Sequence, residues 1–139
     1  MLYDVLPDAE TPTPAELQAA YAAKLAAVVD EYGQETVAAD TGLDPETVAA
    51  FADGDVADAT LSDAAAVFAV DGIDPDAVTA EVRDGLMMGL STAILDVDTV
   101  ALEIETELDA REVRQALEGE IRLRLDELAA VQSLIRSRS

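Results

Sequence analysis

The sequence has no histidine, no cysteine and no tryptophan, and its single lysine is Lys24. Without histidine and cysteine, the chain cannot build the usual zinc sites, a thiol nucleophile, a Ser-His-Asp triad or a disulfide. It also lacks a glycine-rich phosphate loop, and its acidic residues do not fit the calcium-loop template. We therefore expect a protein that is not an enzyme, with no catalytic, cofactor-binding or metal-binding residues and no cofactor.

Positive charge is also scarce. Eight basic residues stand against 30 acidic ones in 139 residues, so the formal net charge is −22. Such a charge makes a small chain repel itself at low ionic strength, whereas in molar salt the screening length falls to about 3 Å. Scarce lysine, abundant aspartate and small apolar residues are typical of halophilic archaeal proteins. We therefore expect a halophilic protein that gains helix as the KCl concentration rises.

The apolar content indicates a folded chain in spite of this charge. Half of the residues are apolar, 27 of them are alanine, and valine, leucine and isoleucine together number 35, which argues against disorder. The amino terminus lacks the basic region of a signal peptide. The longest uncharged run, residues 85–95, is too short to span a bilayer. We expect a cytoplasmic protein without a membrane partner.

Helix-capping signals divide the chain into eight helices and predict an all-α fold. Thr13 and Thr60 begin capping boxes, and Asp-Pro pairs begin helices at Pro45 and Pro75. The apolar spacing predicts that the helix beginning at Pro75 continues through Ile94. Residues 1–12 are predicted to form an extended arm, and no strand ladder is predicted. The last helices are predicted from Asp109 to Gly119, and from Leu125 to Arg136.

The second half of the chain repeats the first at an offset of 63–65 residues. The matching pairs include Leu17 with Val82, Tyr21 with Leu86, Leu25 with Leu90, Val29 with Ile94, Val48 with Val113, and Gly54 with Gly119. The repeat predicts two tandem four-helix, helix-turn-helix-like units, 13–70 and 76–139, packed as one compact body. The alternative is chance similarity, because capped alanine-rich helices of similar length resemble one another.

Residues 34–48 resemble the helix-turn-helix of phage-repressor-like DNA-binding domains. Ala38, the turn residue Gly42, and the apolar Leu43 and Val48 carry this resemblance. In that family, the third helix lies in the DNA major groove. The second copy, residues 99–119, lacks the turn glycine and has two more residues before the turn, which argues against a sharp turn there.

The two copies differ in charge. The face of the first copy that would meet DNA is acidic, whereas all seven arginines lie from Arg83 onward. Five residues of the second copy are candidates for contact with nucleic acid or a protein partner: Arg111, Arg114, Gln115, Arg122 and Arg124. The alternative is that these arginines only pair with neighbouring carboxylates at helical spacing.

The uncharged run contains a second candidate surface. Four apolar residues are nearly consecutive in it: Leu86, Met87, Met88 and Leu90. On a helix they would cover more than one stripe of the surface. One interpretation is a core helix that joins both copies. The other is an oligomer face, to which Gly85 and Gly89 would also contribute.

Over nearly its whole length, the sequence resembles a small haloarchaeal family of unknown function. The segments that carry this resemblance are Met1-Leu2-Tyr3-Asp4, Pro14-Ala15-Glu16-Leu17, Leu90-Ser91-Thr92-Ala93-Ile94-Leu95-Asp96-Val97-Asp98-Thr99, and Leu117-Glu118-Gly119. The resemblance implies a halophilic origin and assigns neither a function nor site residues. We expect a regulatory or protein-interaction module with a protein partner or a homodimer, and without a small-molecule substrate. The alternative is a DNA-binding transcriptional regulator that uses the second unit.

Overall fold

A computed structural model describes residues 2–4 and 11–138, and within these ranges it contains eight α-helices and no strand. The prediction of an all-α fold is confirmed. Residues 1 and 5–10 of the predicted arm, and Ser139 of the predicted second unit, lie outside the described residues. The helices are α1 (Pro14–Tyr32), α2 (Gln34–Thr41), α3 (Pro45–Ala52), α4 (Leu61–Val70), α5 (Pro75–Ala93), α6 (Val97–Glu103), α7 (Ala110–Leu117) and α8 (Leu125–Arg138).

The helices begin where the capping residues place them. Thr13 Oγ1 accepts a hydrogen bond from the Glu16 backbone N–H, and Glu16 Oε1 accepts one from the Thr13 N–H, both at 3.1 Å. The same reciprocal box forms at Thr60, as predicted, and at Asp109, where the sequence indicated only a cap. Asp96 caps α6 and accepts from the Thr99 N–H at 2.8 Å, which lowers the pKa of the Asp96 carboxyl.

The end of α5 differs from the prediction. The helix ends at Ala93, and Ile94 turns into the left-handed region with φ 56°, leaving its side chain 91% exposed. The turn closes because the Leu95 N–H donates to the Leu90 carbonyl at 2.9 Å. Val29, which the repeat matches to Ile94, is helical and buried, so the structure does not support the equivalence of these two positions.

Two long helices, α1 and α5, lie at the centre of the core. Helix α1 packs against both α4 and α8, and α5 packs against the same two helices. At the start of α4, the Leu61 N–H donates to the Leu123 carbonyl at 2.7 Å. At the start of α8, the Leu125 N–H donates to the Ala59 carbonyl at 2.9 Å, which completes an isolated antiparallel bridge between Thr60 and Arg124.

The amino-terminal residues dock onto the same chain. Leu2 is fully buried, and the ring of Tyr3 covers Gly85, where a Cβ would lie 2.6 Å from Tyr3 Cδ1. Gly89 faces Ile135 and the Tyr3 hydroxyl. The interpretation of Gly85 and Gly89 as a partner face is therefore wrong, because residues of the same chain cover both glycines.

A buried polar bridge holds this arrangement. Gln132 is 1% exposed, donates from Nε2 to the Tyr3 carbonyl, and accepts a hydrogen bond from the Tyr21 hydroxyl. Burial raises the pKa values of Tyr3 and Tyr21, so both hydroxyls stay protonated to a higher pH than an exposed tyrosine does. The bridge ties residues 2–4 to α1 and α8.

No single helix in the described ranges is both long and apolar enough to cross a membrane. Helices α5 and α6 meet the length and composition criteria only as a pair, and the chain bends by 94° between them.

Candidate interaction surface

Helix α7 has one buried face and one polar face. Val113, Ala116 and Leu117 point into the core, which fixes the rotation of the helix about its axis. Arg111 and Arg114, three residues apart, are consequently exposed on the opposite side, and Gln115 is partly exposed beside them. The structure therefore brings together three of the five residues that the sequence predicted as a contact surface.

Arg83 has a structural role that sequence reasoning missed. It lies on α5, and its Nε donates to the Leu117 carbonyl at the end of α7, at 2.9 Å. Its guanidinium lies against Gly119, where a Cβ would be 3.1 Å from Nη1. The only signal in the sequence is the glycine, since nothing local links residue 83 to residue 117.

Two further arginines have carboxylate partners. Arg124 bonds to Asp126 through Nε and Nη2, which raises the pKa of Arg124, and Arg138 forms an ion pair with Glu103. Arg136 is also engaged in the structure. For Arg124, the interpretation as a local ion pair is therefore correct.

Arg111, Arg114 and Arg122 differ from these arginines. All three are exposed, and none forms an ion pair or a hydrogen bond with any residue that the structure describes. The prediction that the arginines pair with nearby carboxylates is wrong for these three. We call the three α7 residues Arg111, Arg114 and Gln115, together with Arg122 five residues after the end of that helix, the arginine surface.

A cleft of about 220 Å³ adjoins the end of α7. Both Arg83 and Arg122 line this cleft, together with the hydroxyl-bearing Ser62 and Thr79. Glu120 also lines it, so the cleft offers two cations and one anion. The formal charge of these three side chains is +1, which a single carboxylate from outside the chain would neutralise.

The arginine surface is mixed in charge. Glu112 is held by the capping box at Asp109, while Glu118 and Glu120 are exposed near the end of α7. The corresponding part of the first half is purely acidic: Glu46, Asp55, Asp58 and Asp63 line a cleft of about 250 Å³ beside α3. The turns also differ, because residues 42–44 join α2 to α3 and residues 104–109 join α6 to α7.

A larger cleft, of about 550 Å³, lies between the start of α1 and α8. Its acidic lining residues include Glu103, which the ion pair with Arg138 already engages. Among residues 2–4 and 11–138, no group of three or more acidic side chains is placed to hold a metal ion.

The second predicted surface divides into buried and exposed residues. Leu86 and Leu90 are buried in the core, so they cannot form an oligomer face. Met87 and Met88 are 54% and 71% exposed on the other side of α5. The helical period explains the division, because residues 86 and 90 are one turn apart on the inner stripe.

Comparison with known proteins identifies the family. A model described as a family of unknown function, DUF5791, matches residues 17–138. The chain belongs to this family. No curated protein and no solved structure matched the chain. Family membership therefore assigns no residue of the arginine surface to a function.

Proposed function

We propose that the protein is a non-enzymatic, regulatory interaction module that binds an acidic protein partner through the arginine surface. The observation that carries the proposal is the exposure of Arg111, Arg114 and Arg122 without local partners. The chain has 30 acidic residues, so carboxylates are available to pair with an exposed guanidinium. Forming such a surface ion pair changes the free energy little. These three arginines have no carboxylate partner within the described residues and are therefore available to an outside partner. Their planar guanidinium groups can form paired hydrogen bonds to carboxylates.

The mixed charge of the surface favours protein over DNA. Glu118 and Glu120 would lie close to the phosphates of a duplex docked on α7, whereas a folded partner can place its own cations opposite them. Counterion release also weakens DNA binding steeply as the salt concentration rises. An acidic side chain of the partner would enter the cleft between Arg83 and Arg122.

DNA binding by the second unit is the second candidate. It is favoured by the side-by-side placement of Arg111, Arg114 and Gln115, because these residue types hydrogen-bond to base edges in the major groove. The long connection between α6 and α7 counts against it, since a helix-turn-helix needs a short turn to present its second helix.

A pair of charge-matched variants tests the proposal. The full chain, Arg114→Gln and Arg138→Gln would each be immobilised and exposed to native extract in molar KCl, with captured proteins measured by mass spectrometry. We expect a specific acidic partner to be lost with Arg114→Gln and retained with Arg138→Gln, because Arg138 is already paired with Glu103. Equal capture by both variants contradicts the proposal.

Fluorescence anisotropy with genomic DNA fragments in the same buffer separates the two candidates. Sequence-specific binding that is lost in Arg114→Ala and Gln115→Ala would favour the DNA-binding regulator. Absence of specific binding, together with capture of a protein partner, supports the protein-interaction module.

We further propose that the chain is an internal duplication of a helix-turn-helix-like unit, with 13–70 and 76–139 as its copies. The bridge supports this, because Thr60 pairs with its own repeat equivalent, Arg124, and the two hydrogen bonds join equivalent positions reciprocally. The shared packing of α1 and α5 on α4 and α8 supports it as well. In this view, only the second copy acquired the arginine surface.

We also propose that the protein functions in the salt-rich cytoplasm of a haloarchaeon. The net charge of −22 supports this, since screening removes self-repulsion at high salt. Circular dichroism from about 0.1 M to about 3 M KCl should show helix increasing with salt. A fully cooperative fold at the lowest salt concentration contradicts the salt requirement.

A further inference from the structure

Arg83 is held in a fixed orientation at the end of α7. Its Nε donates to the Leu117 carbonyl at 2.9 Å, and its guanidinium lies against Gly119, where a Cβ would be 3.1 Å from Nη1. The hydrogen bond uses one N–H of the guanidinium, and no ion pair with a described residue uses the others. An oriented guanidinium loses less conformational entropy when it binds an anion than a freely rotating one does. Arg83 is therefore prepared to bind an anion from outside the chain.

The charged groups around the cleft beside α7 match a single negative charge. Arg83, Arg122 and Glu120 line this cleft and together carry a formal charge of +1. One carboxylate neutralises this charge, whereas a phosphate dianion would bring a second negative charge close to Glu120. The Ser62 hydroxyl also lines the cleft and can donate to a carboxylate oxygen. The charge of the cleft therefore favours a carboxylate over a phosphate.

The floor of the cleft is apolar. Leu61, Ala116 and Leu123 line the cleft and are buried, and the half-buried Ile121 lines it as well. The charged residues are more exposed than these three and form the rim. A bare anion at the rim would leave the floor in contact with solvent, whereas an apolar group attached to the anion would remove the floor from water.

The size of the cleft limits what it can hold. Its volume of about 220 Å³ is smaller than the pockets of about 300–1,000 Å³ that hold drug-sized ligands. A nucleotide or another large cofactor therefore does not match the cleft. A ligand of the size of one amino-acid residue does.

We propose that the cleft is a binding site for a carboxylate attached to a small aliphatic group. The carboxylate pairs with Arg83 and Arg122 at the rim, and the aliphatic group covers the floor. Two sources provide this chemistry: a free short-chain acid, and the last residue of a protein chain that ends in an apolar side chain. The inference goes beyond the proposed function, and a bound ligand of this kind would compete with the partner's acidic side chain for the same arginines.

Isovalerate is the first probe, because it joins one carboxylate to one branched aliphatic group. NMR titration of the full chain at constant KCl concentration should show saturable shifts of the Arg83 Nε–H and the Gly119 backbone N–H signals. Isovaleramide, which lacks the charge, should bind at least about tenfold more weakly. Acetate, which lacks the branched group, should bind at least about fivefold more weakly. Equal binding of either analogue overturns the proposal.

A short peptide that ends in leucine with a free carboxylate distinguishes the two sources. Tighter binding of this peptide than of isovalerate supports the proposal with a protein chain end as the ligand. Tighter binding of isovalerate supports it with a free acid as the ligand. Inorganic phosphate that displaces both probes at equal concentration overturns the choice of a carboxylate.

Arg122→Gln is the test variant, because Arg122 is exposed and has no partner among the described residues whose loss would unfold the chain. It should weaken isovalerate binding about tenfold. Arg83→Lys, which keeps the charge and loses the oriented guanidinium, should weaken it as well. Arg138→Gln is the charge-matched control, because Arg138 pairs with Glu103 and does not line the cleft. Wild-type affinity in either cleft variant, or an equal loss in the control, overturns the proposal.

Arg114→Gln separates this inference from the proposed function. Arg114 does not line the cleft, so this variant should bind isovalerate as the wild type does. A chain that captures its partner through Arg114 but binds neither isovalerate nor the leucine peptide contradicts the ligand site alone. A chain that binds one of these probes but captures no partner contradicts only the proposed function.

Discussion

Helices α3 and α7 share a capping aspartate and a buried valine at an offset of 65 residues. Asp44 and Asp109 cap them, and Val48 and Val113 are buried at the same register. Their exposed positions differ, because Glu46 matches Arg111 and Ala49 matches Arg114 at the offset of 65 residues. Packing constrains the inner face of each helix, whereas the outer face is free to specialise. The functional difference between the halves should therefore lie on exposed positions.

The largest expected effect tests whether the halves are equivalent at their junction. Leu61 and Leu125 are both buried beside the bridge between Thr60 and Arg124. Leu61→Ala and Leu125→Ala should each lower the free energy of unfolding by about 2–5 kcal/mol through lost packing and a residual cavity. Urea unfolding at constant KCl measures both. A large loss at one site and none at the other would show that the halves are not equivalent there.

The second prediction concerns a difference between the halves within the core. Phe68 and Gln132 match at an offset of 64 and are both buried, but only Gln132 bridges Tyr21 and Tyr3. Gln132→Leu should lower the free energy of unfolding by about 1–3 kcal/mol, because it leaves the Tyr21 hydroxyl and the Tyr3 carbonyl without hydrogen-bond partners.

Adding Tyr21→Phe to Gln132→Leu removes one of the two stranded groups. The double variant should therefore lose less stability than the two single variants together, as measured by urea unfolding in a double-mutant cycle. Additive losses would show that the bridge does not operate as a unit.

A glycine pair gives the third prediction. Gly54 and Gly119 both have a left-handed backbone conformation. Alanine at either position should therefore lower the free energy of unfolding by about 1–2 kcal/mol. Gly119→Ala should cost more than Gly54→Ala, since its Cβ meets the Arg83 guanidinium whereas the Gly54 Cβ meets nothing within 4 Å. Thermal unfolding compares the two variants. In an Arg83→Ala background the excess should disappear, and persistence of the excess would refute the contact as its cause.

The smallest effect concerns alkaline pH. The Tyr32 hydroxyl donates to Asp71 at 2.6 Å, and this bond raises the pKa of Tyr32 to about 12. The folded-state pKa thus exceeds the ordinary value of 10.0, so the stabilisation is complete below pH 10 and is lost as the pH rises towards 12. In unfolding curves measured at a series of pH values, the free energy of unfolding of Tyr32→Phe should fall less between pH 10 and 12 than that of the wild type. An unchanged alkaline slope would exclude the contribution of Tyr32. The matching residue of the second half, Val97, does not titrate.

The helix boundaries could be predicted because their causes are local. Thr13, Thr60 and Asp109 cap helices through residues three positions away, and the sequence displays both members of each pair. The end of α5 could not be predicted in the same way, because Ile94 continues the apolar period and isoleucine is the wrong residue for the turn that forms.

The candidate site was predictable only in outline. The sequence located Arg111, Arg114 and Gln115 on one face of α7, because helical spacing determines it. It could not distinguish arginines with partners from those without, since the contacts of Arg83 with Leu117 and of Arg138 with Glu103 join residues 34 and 35 positions apart. Gln132 was missed for the same reason, because its partners lie on α1 and in residues 2–4.

The crossed packing of the long helices has a consequence for how the chain can be divided. Helix α1 contacts α8 at the other end of the sequence, while α4 contacts α5 across the connection 71–74. Each half therefore completes its core with a helix from the other half. A chain cut at residues 71–74 should remain together as a noncovalent pair, and either fragment alone should fail to fold. The duplication that we propose would thus have produced a single, indivisible folding unit.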